Sequence, residues 1–312
     1  MKFKKPYFWD LPKPTFISYL LIPFTVIIIL RNFFFNFRKK NKSPKIKIIC
    51  VGNIYVGGTG KTPLAIKIYE ILVKLGKKVA TVKKNYSNQK DEQLLLKKKF
   101  LVIIKNSRIK AIQKGIRENY NFLIFDDGLQ ETKIDFDLKL VCFKSNNWIG
   151  NGQLIPAGPL REKISSLKKF DAVFLNGNMK NFDSIKRQIY KVNSKIKIFT
   201  TVYKISNIKD YDLNSKYLIF SGIGNPFDFK NILIENNFIV TKEIIFPDHY
   251  KYDYKDFKNI QNTAREENLK ILTTEKDYMK VPDEFKKEIN FLAIDLIIQN
   301  EKEFIDLLKK II

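Results

Sequence analysis

A chain of 312 residues, 45% hydrophobic and 29% charged with 13 Gly and 11 Pro, has room for two domains and excludes a disordered, collagen-like or low-complexity polypeptide. Two cysteines, Cys50 and Cys142, exclude a disulfide framework or a cysteine zinc cage, and the single histidine, His249, excludes a multi-histidine metal centre. The formal charge of +25 suits anionic partners (nucleic acid, phosphorylated ligands or an acidic lipid surface), although a lysine-rich base composition also produces a solvated basic surface with no ligand.

The first element in the chain is an apolar run inside a basic segment. Residues 1–43 hold Lys2, Lys4, Lys5, Lys13, Arg31, Arg38, Lys39, Lys40 and Lys42 against one acid, Asp10, and they bracket Phe16–Leu30 (FISYLLIPFTVIIIL). As a helix, 15 residues at about 1.5 Å each reach roughly 22 Å, short of the roughly 30 Å of a hydrocarbon core, and Pro23 interrupts them. Phe8, Trp9 and Phe33–Phe35 supply rings suited to a headgroup layer. The pattern predicts a membrane-seated helix, interfacial or shallowly inserted, in preference to a full span or a buried core helix. Lys39–Lys42 then face the cytoplasm.

From Lys45 onward, short apolar runs alternate with helix-period segments. KIKIICV (45–51) predicts a strand and TPLAIKIYEILVKL (62–75) a helix, with Leu64, Ile68, Ile71, Leu72 and Leu75 on one face and Gly76 as its left-handed stop. KKVATV, FLVIIK (100–105), FLIFDD (122–127), LKLVCF (138–143) and AVFLNG (172–177) are further strands whose continuous apolar character fits a parallel sheet covered on both faces. A second series starts near residue 197 with IFTTVYKI, YLIFSGIG, FIVTKEIIF, ILTTEKD and FLAIDLII. The fold class is therefore α/β: a mostly parallel P-loop NTPase-like domain (44–200), a smaller α/β domain (201–312) and the N-terminal membrane-associated segment (1–43). Cys50 and Cys142, inside apolar strands, are expected to be packed small hydrophobes.

Between the first strand and the first long helix stands VGNIYVGGTGKTP (51–63). Gly57, Gly58 and Gly60 let the backbone approach a phosphate, Thr59 lies among them, and the helix N-terminus contributes a positive dipole end. Lys61 can reach the β- and γ-phosphates of a nucleotide and Thr62 can ligate Mg²⁺. The strict P-loop pattern fails at Tyr55, which stands at its first glycine. FLIFDDG supplies the second metal-organising group in Asp126 or Asp127. Successive strand residues point oppositely, so which aspartate faces the metal stays open.

The wording VGN-x-x-VGGTGKTP, then DDGLQ, GNGQLIPAGPLRE (150–162), FLNG, SGIGNPFDF (221–229), FPDHY (246–250) and LTTEKD (272–277), resembles the tetraacyldisaccharide 4′-kinase family of the lipid A pathway. The resemblance implies transfer of the γ-phosphate of MgATP to the 4′-hydroxyl of a tetraacyl disaccharide 1-phosphate, giving lipid IVA. It implies an enzyme at the cytoplasmic face of the bacterial inner membrane, with a lipid-linked disaccharide as partner, no specific nucleic acid and no obligate protein partner. By the same resemblance Lys61 is catalytic, Asp91 is the base that accepts the hydroxyl proton, and His249 pairs with it. Gln130, Arg161 and Glu162 surround the nucleotide and its phosphates, Arg108 matches a basic residue on the substrate side, and Lys276 is a candidate substrate-phosphate contact.

Three departures stand out. The family's S-R-G-Y-G is Lys83-Lys84-Asn85-Tyr86-Ser87 here, its histidine after DDGLQ is Glu131, and its proline after D-E is Gln93. Two other readings compete: a membrane-seated P-loop ATPase or GTPase without a lipid acceptor, and a basic nucleic-acid-binding protein. The second lacks any zinc spacing, helix-turn-helix or aromatic RNA-binding pattern.

Overall fold

The computed structural model describes residues 5–36, 43, 45–84, 100–105, 107–131, 133–177, 182–248 and 250–312, with Phe35, Asn36 and Lys84 traced as backbone. Twelve strands form among them: β1 (Lys47–Gly52), β2 (Val79–Lys84), β3 (Val102–Lys105), β4 (Phe122–Asp126), β5 (Leu138–Lys144), β6 (Ala172–Asn176), β7 (Lys197–Ile205), β8 (Lys216–Ser221), β9 (Ile239–Ile245), β10 (Lys270–Thr274), β11 (Ile289–Leu292) and β12 (Ile294–Ile298). They divide between two compact units, the first holding Met1–Lys84, Ile103–Val202 and Leu296–Ile312, the second Asn85–Val102 and Tyr203–Asp295.

The first unit is built on an eight-stranded sheet in the order β12-β7-β6-β5-β1-β4-β2-β3. β1 lies parallel between β4 and β5, with Val51 opposite both Asp126 and Leu140. Every residue of β4 is buried, as a strand covered on both faces requires. Helix α3 (Lys61–Lys74) buries Leu64, Ala65, Ile68, Ile71 and Leu72, and each large side chain hidden this way stabilises the fold by about 1.5–3 kcal/mol. Gly76 follows at φ +72°, the left-handed conformation that favours glycine.

The second unit is a four-stranded parallel sheet in the order β11-β10-β8-β9. Phe220, Phe257 and Phe285 pack on one side of it, and Tyr217, Phe229 and Phe238 belong to a separate buried cluster.

Two expectations change at the division between units. FLAIDLII does not make one strand: it breaks at Ala293 into β11 and β12, which join different sheets. Ser206 N–H donates to the Ala293 carbonyl (3.0 Å) and the Asn207 side-chain oxygen accepts from Ala293 N–H (2.9 Å), fixing the break. The last helix, Glu301–Lys309, belongs to the first unit and not to a smaller domain running to residue 312. Its Phe304 ring lies 5.1 Å from Phe174 and 5.3 Å from Phe199, in edge-on packing.

Near the N-terminus, α1 (Phe16–Leu21) and α2 (Thr25–Asn36) are joined by a tight 3-10 turn at Pro23, which cannot donate the helical hydrogen bond. Their polarity is inverted relative to a core helix. Ser18 and Thr25 are buried, and Asn32 donates to the Arg161 carbonyl (3.0 Å), a polar stripe at seven-residue spacing. Phe16 (77% exposed), Ile27 (69%) and Phe34 (65%) face outward. Only 11% of the most apolar stretch of Phe16–Phe34 is buried, so this is not the core helix considered as one alternative. Trp9 fastens the segment to the loop after β5: its ring nitrogen donates to the Pro156 carbonyl (3.0 Å), and its carbonyl accepts from Asn151 N–H (3.0 Å).

Candidate functional site

The carboxyl ends of β1, β4 and β2 and the N-terminus of α3 meet at one place in the first unit. The chain leaves β1 at Gly52, turns through residues 53–60 and enters α3 at Lys61. Gly60 caps the helix at φ +83° and Gly57 sits at φ +139°, positions where a side chain is strained. The loop is braced from within by Asn53, whose amide donates to the Gly57 carbonyl (3.1 Å). From β6, Asn176 donates its amide to the Thr59 carbonyl and accepts from the Thr201 hydroxyl. Tyr55 departs from the glycine pattern because its side chain has a different task. It packs with Leu154 and Leu160, and its hydroxyl donates to Asp10 while accepting from Lys5 (2.7 Å).

Asp126 is the centre of the site. The Thr62 hydroxyl donates to its Oδ2 (2.7 Å), and the Lys83 ammonium donates to the same oxygen (3.2 Å). The parallel register Val82 opposite Phe125 brings Lys83 beside it. Burial works to raise the Asp126 carboxyl, but the Lys83 charge, the Thr62 hydrogen bond and the Lys61 charge outweigh it and hold the group below the usual carboxylate range. It is ionised at neutral pH.

Asp127 takes another direction. At φ +62° it leaves the strand, its carboxylate lies 3.4 Å from Arg161 Nη1, and its carbonyl accepts from Arg108 Nη2 (2.5 Å). Arg161 also donates to Gln130 Oε1 (3.2 Å), and Gln130 donates to the Asn53 carbonyl (3.0 Å). Glu131, which departs from the family pattern, pairs with Arg108 at 3.4 Å. Gln130 and Arg161 line a cavity of about 330 Å³ together with Ile28, Arg31 and Ile155.

These surroundings fit a metal–nucleotide complex on their own chemistry. Among the described residues five buried side-chain polar atoms have no hydrogen-bond partner, and three of them, Asn53 Oδ1, Thr59 Oγ1 and Asp126 Oδ1, lie in or beside this loop. A hydroxyl, a carboxylate oxygen and phosphate oxygens form the hard donor set that Mg²⁺ prefers. Gly57 and Gly58 are exposed, and Gly58 has open space where a side chain would stand. Backbone can thus approach a phosphate without obstruction.

In the second unit, three sequence motifs converge at the carboxyl ends of β8 and β10. Asp277 accepts from Gly222 N–H (2.9 Å), the Thr274 hydroxyl (2.8 Å) and Lys280 (3.0 Å). Lys276 lies 3.3 Å from Asp248.

The structure therefore brings together Thr62 and Asp126 in one group, and Asp127, Gln130 and Arg161 in another. Glu162 follows Arg161 and is partly exposed. Asp91 and His249 lie outside the described residues. Lys83, noted in the sequence only as a departure from the family wording, and Asn176, inside FLNG, were given no site role there. The available signal was a polar residue closing an otherwise apolar strand, the same feature that exposed Asp126. Cys50 and Cys142 are fully buried, and burial pushes both thiols up.

Residues 16–312 match the LpxK family, described as tetraacyldisaccharide-1-P 4′-kinase. The chain is 46% identical over 311 residues to the tetraacyldisaccharide 4′-kinase of Pelagibacter ubique (strain HTCC1062), covering 100% of this chain and 99% of that one. To the enzyme of the same name from Rickettsia felis it is 33% identical over 325 residues, covering 96% and 95%. Among solved structures, the "apo" form of LpxK from Aquifex aeolicus in complex with ATP has a TM-score of 0.73 at 23% identity, over 95% of this chain and 99% of that one. This last likeness speaks to the fold.

Proposed function

Because the chain belongs to the tetraacyldisaccharide-1-P 4′-kinase family, it is an ATP-dependent kinase of tetraacyldisaccharide 1-phosphate, and we propose that the P-loop centred on Lys61, Thr62 and Asp126 carries the transfer. The observation that supports this reading is the open Oδ1 of a buried, ionised Asp126 beside the hydroxyl at the start of α3.

The amides of the loop and of the α3 N-terminus hold the triphosphate, and Lys61 neutralises charge on its β- and γ-phosphates. Thr62 and Asp126 would hold Mg²⁺, which supplies further neutralisation when bound. Asp127 holds Arg161 in place, and Arg161, Gln130 and Glu162 border the nucleotide. The 4′-oxygen of the sugar attacks the γ-phosphorus as the bond from the γ-phosphorus to the β,γ-bridging oxygen breaks, and ADP leaves. Asp91 takes the hydroxyl proton and His249 orients it, a contribution of typically 10²–10⁴-fold for such general bases.

The acceptor carries acyl chains, and the outward face of α1 and α2 suits that origin. Phe16, Ile27 and Phe34 enter the cytoplasmic surface of the inner membrane, while Ser18, Thr25 and Asn32 face the protein. A membrane-seated switch ATPase would share that face but would need no base such as Asp91 to take an acceptor proton. Purified protein incubated with γ-labelled ATP, Mg²⁺ and the disaccharide 1-phosphate should label the lipid, and Lys61→Ala should lower transfer by about 10³-fold. Labelled inorganic phosphate without labelled lipid would overturn the assignment.

A further inference from the structure

Lys83 is one of the few buried charged side chains of the first unit, and the chemistry described above does not require it. It stands next to the end of β2 against Asp126, both side chains more than nine-tenths buried, and its ammonium sits on Oδ2 together with the Thr62 proton. Oδ1 of the same carboxylate is left without a partner. One oxygen is thus already neutralised while the other is buried and without a hydrogen-bond partner. A divalent ion arriving at Oδ1 meets a carboxylate whose negative charge is shared with a fixed ammonium on the far side, in surroundings too dry to screen the repulsion.

We propose that Lys83 is a resident counter-cation: it keeps the Asp126–Thr62 pair assembled when no metal is bound, and it weakens the grip of that pair on Mg²⁺. A buried carboxylate with no cation nearby is costly, so the site cannot wait for metal unless something else balances the charge. Lys83 supplies that balance. The consequence is a nucleotide site that forms without metal and depends on it only modestly. The inference rests on Asp126 being the metal-side carboxylate, and its test separates the two.

The experiment measures the dissociation constant of ADP by calorimetry, in EDTA and in saturating Mg²⁺, for the full chain and for Lys83→Met and Lys83→Arg. Metal and nucleotide couple reciprocally, so the ratio of the two constants reports how strongly Mg²⁺ is held in the complex. Lys83→Met, which keeps the length and loses the charge, should raise that ratio about tenfold, with weaker binding in EDTA and tighter binding in Mg²⁺. Lys83→Arg should leave the ratio near that of the unsubstituted chain. Should Lys83→Met fold only when Mg²⁺ is present, that rescue also supports the proposal. If both constants shift by the same factor, or Lys83→Met fails to fold with and without metal, Lys83 is merely structural and the proposal is overturned. If Mg²⁺ leaves ADP affinity unchanged in every form, the reading of Asp126 itself fails.

Discussion

Two buried aspartates in this chain are built from the same kit and do different things. Asp277 in the second unit and Asp126 in the first each accept a hydroxyl from a threonine and an ammonium from a lysine. Asp277 also takes Gly222 N–H, so both of its oxygens are engaged and its charge is spent on holding the Ser221–Gly222 turn against the start of α8 (Glu275–Tyr278). Asp126 leaves Oδ1 open. A buried polar atom without a partner costs about 1–3 kcal/mol, and on the function proposed above that cost is offset when a cation binds there. Satisfaction of the carboxylate, more than its burial or its charge, separates scaffold from site.

The comparison is sharpest when each aspartate is altered in turn. Asp126→Asn should cut phosphate transfer by about 10²–10³-fold in a protein that still folds, although less stably because the buried Lys83 loses its counter-charge. Asp277→Ala should cost about 3 kcal/mol of stability by removing the buried acceptor of Gly222 N–H, the Thr274 hydroxyl and Lys280, with turnover per folded molecule nearly unchanged. Chemical denaturation beside initial rates checks both, and a swap of the two outcomes would break the distinction.

A smaller effect concerns the other inversion in the molecule, apolar α1 and α2 facing outward while α3 faces inward. Ile27→Asp should weaken sedimentation with anionic vesicles by about tenfold or more, since one large apolar side chain is worth about 1.5–3 kcal/mol. Unchanged sedimentation would remove the membrane reading of that face.

The smallest effect is in pH. Asp126 titrates below its ordinary value of 3.8 in the folded chain, so its contribution to stability is complete above the unfolded value and is lost only as pH falls through the folded one. The stability difference between the unsubstituted chain and Asp126→Asn should therefore stay flat from about pH 7 to pH 5 and shrink only in stronger acid. A difference that already shrinks near pH 6 would mean that the carboxyl is not held down.

Much of this was legible before any coordinates. Apolar runs ending in a glycine or a polar residue gave β1, β4 and β6, and β5 despite Lys139 inside it, because a strand covered on both faces has little polar alternation to hide it. The glycine loop and FLIFDD marked Thr62 and Asp126. The break at Ala293 was not legible, since no proline, glycine or charge separates Leu292 from Ile294 and only partners distant in sequence divide the two strands. Nor was the choice between Asp126 and Asp127: strand alternation says that they part, but only the left-handed turn at Asp127 (φ +62°) shows which one stays beside Thr62. Lys83 was visible as a departure from the family wording and as a charge after an apolar run, but among 57 lysines and arginines its role stays hidden until its neighbour Asp126 is known.

The claim beneath all of this is that the open oxygen of Asp126 faces a cation, and a Mg²⁺ titration of phosphate transfer tests it most directly. In Asp126→Asn the Mg²⁺ needed for half-maximal rate should rise at least about tenfold over the unsubstituted chain, and in Asp277→Asn it should not move. An unchanged half-saturation in Asp126→Asn, with the loss confined to stability or to the limiting rate, would contradict the account.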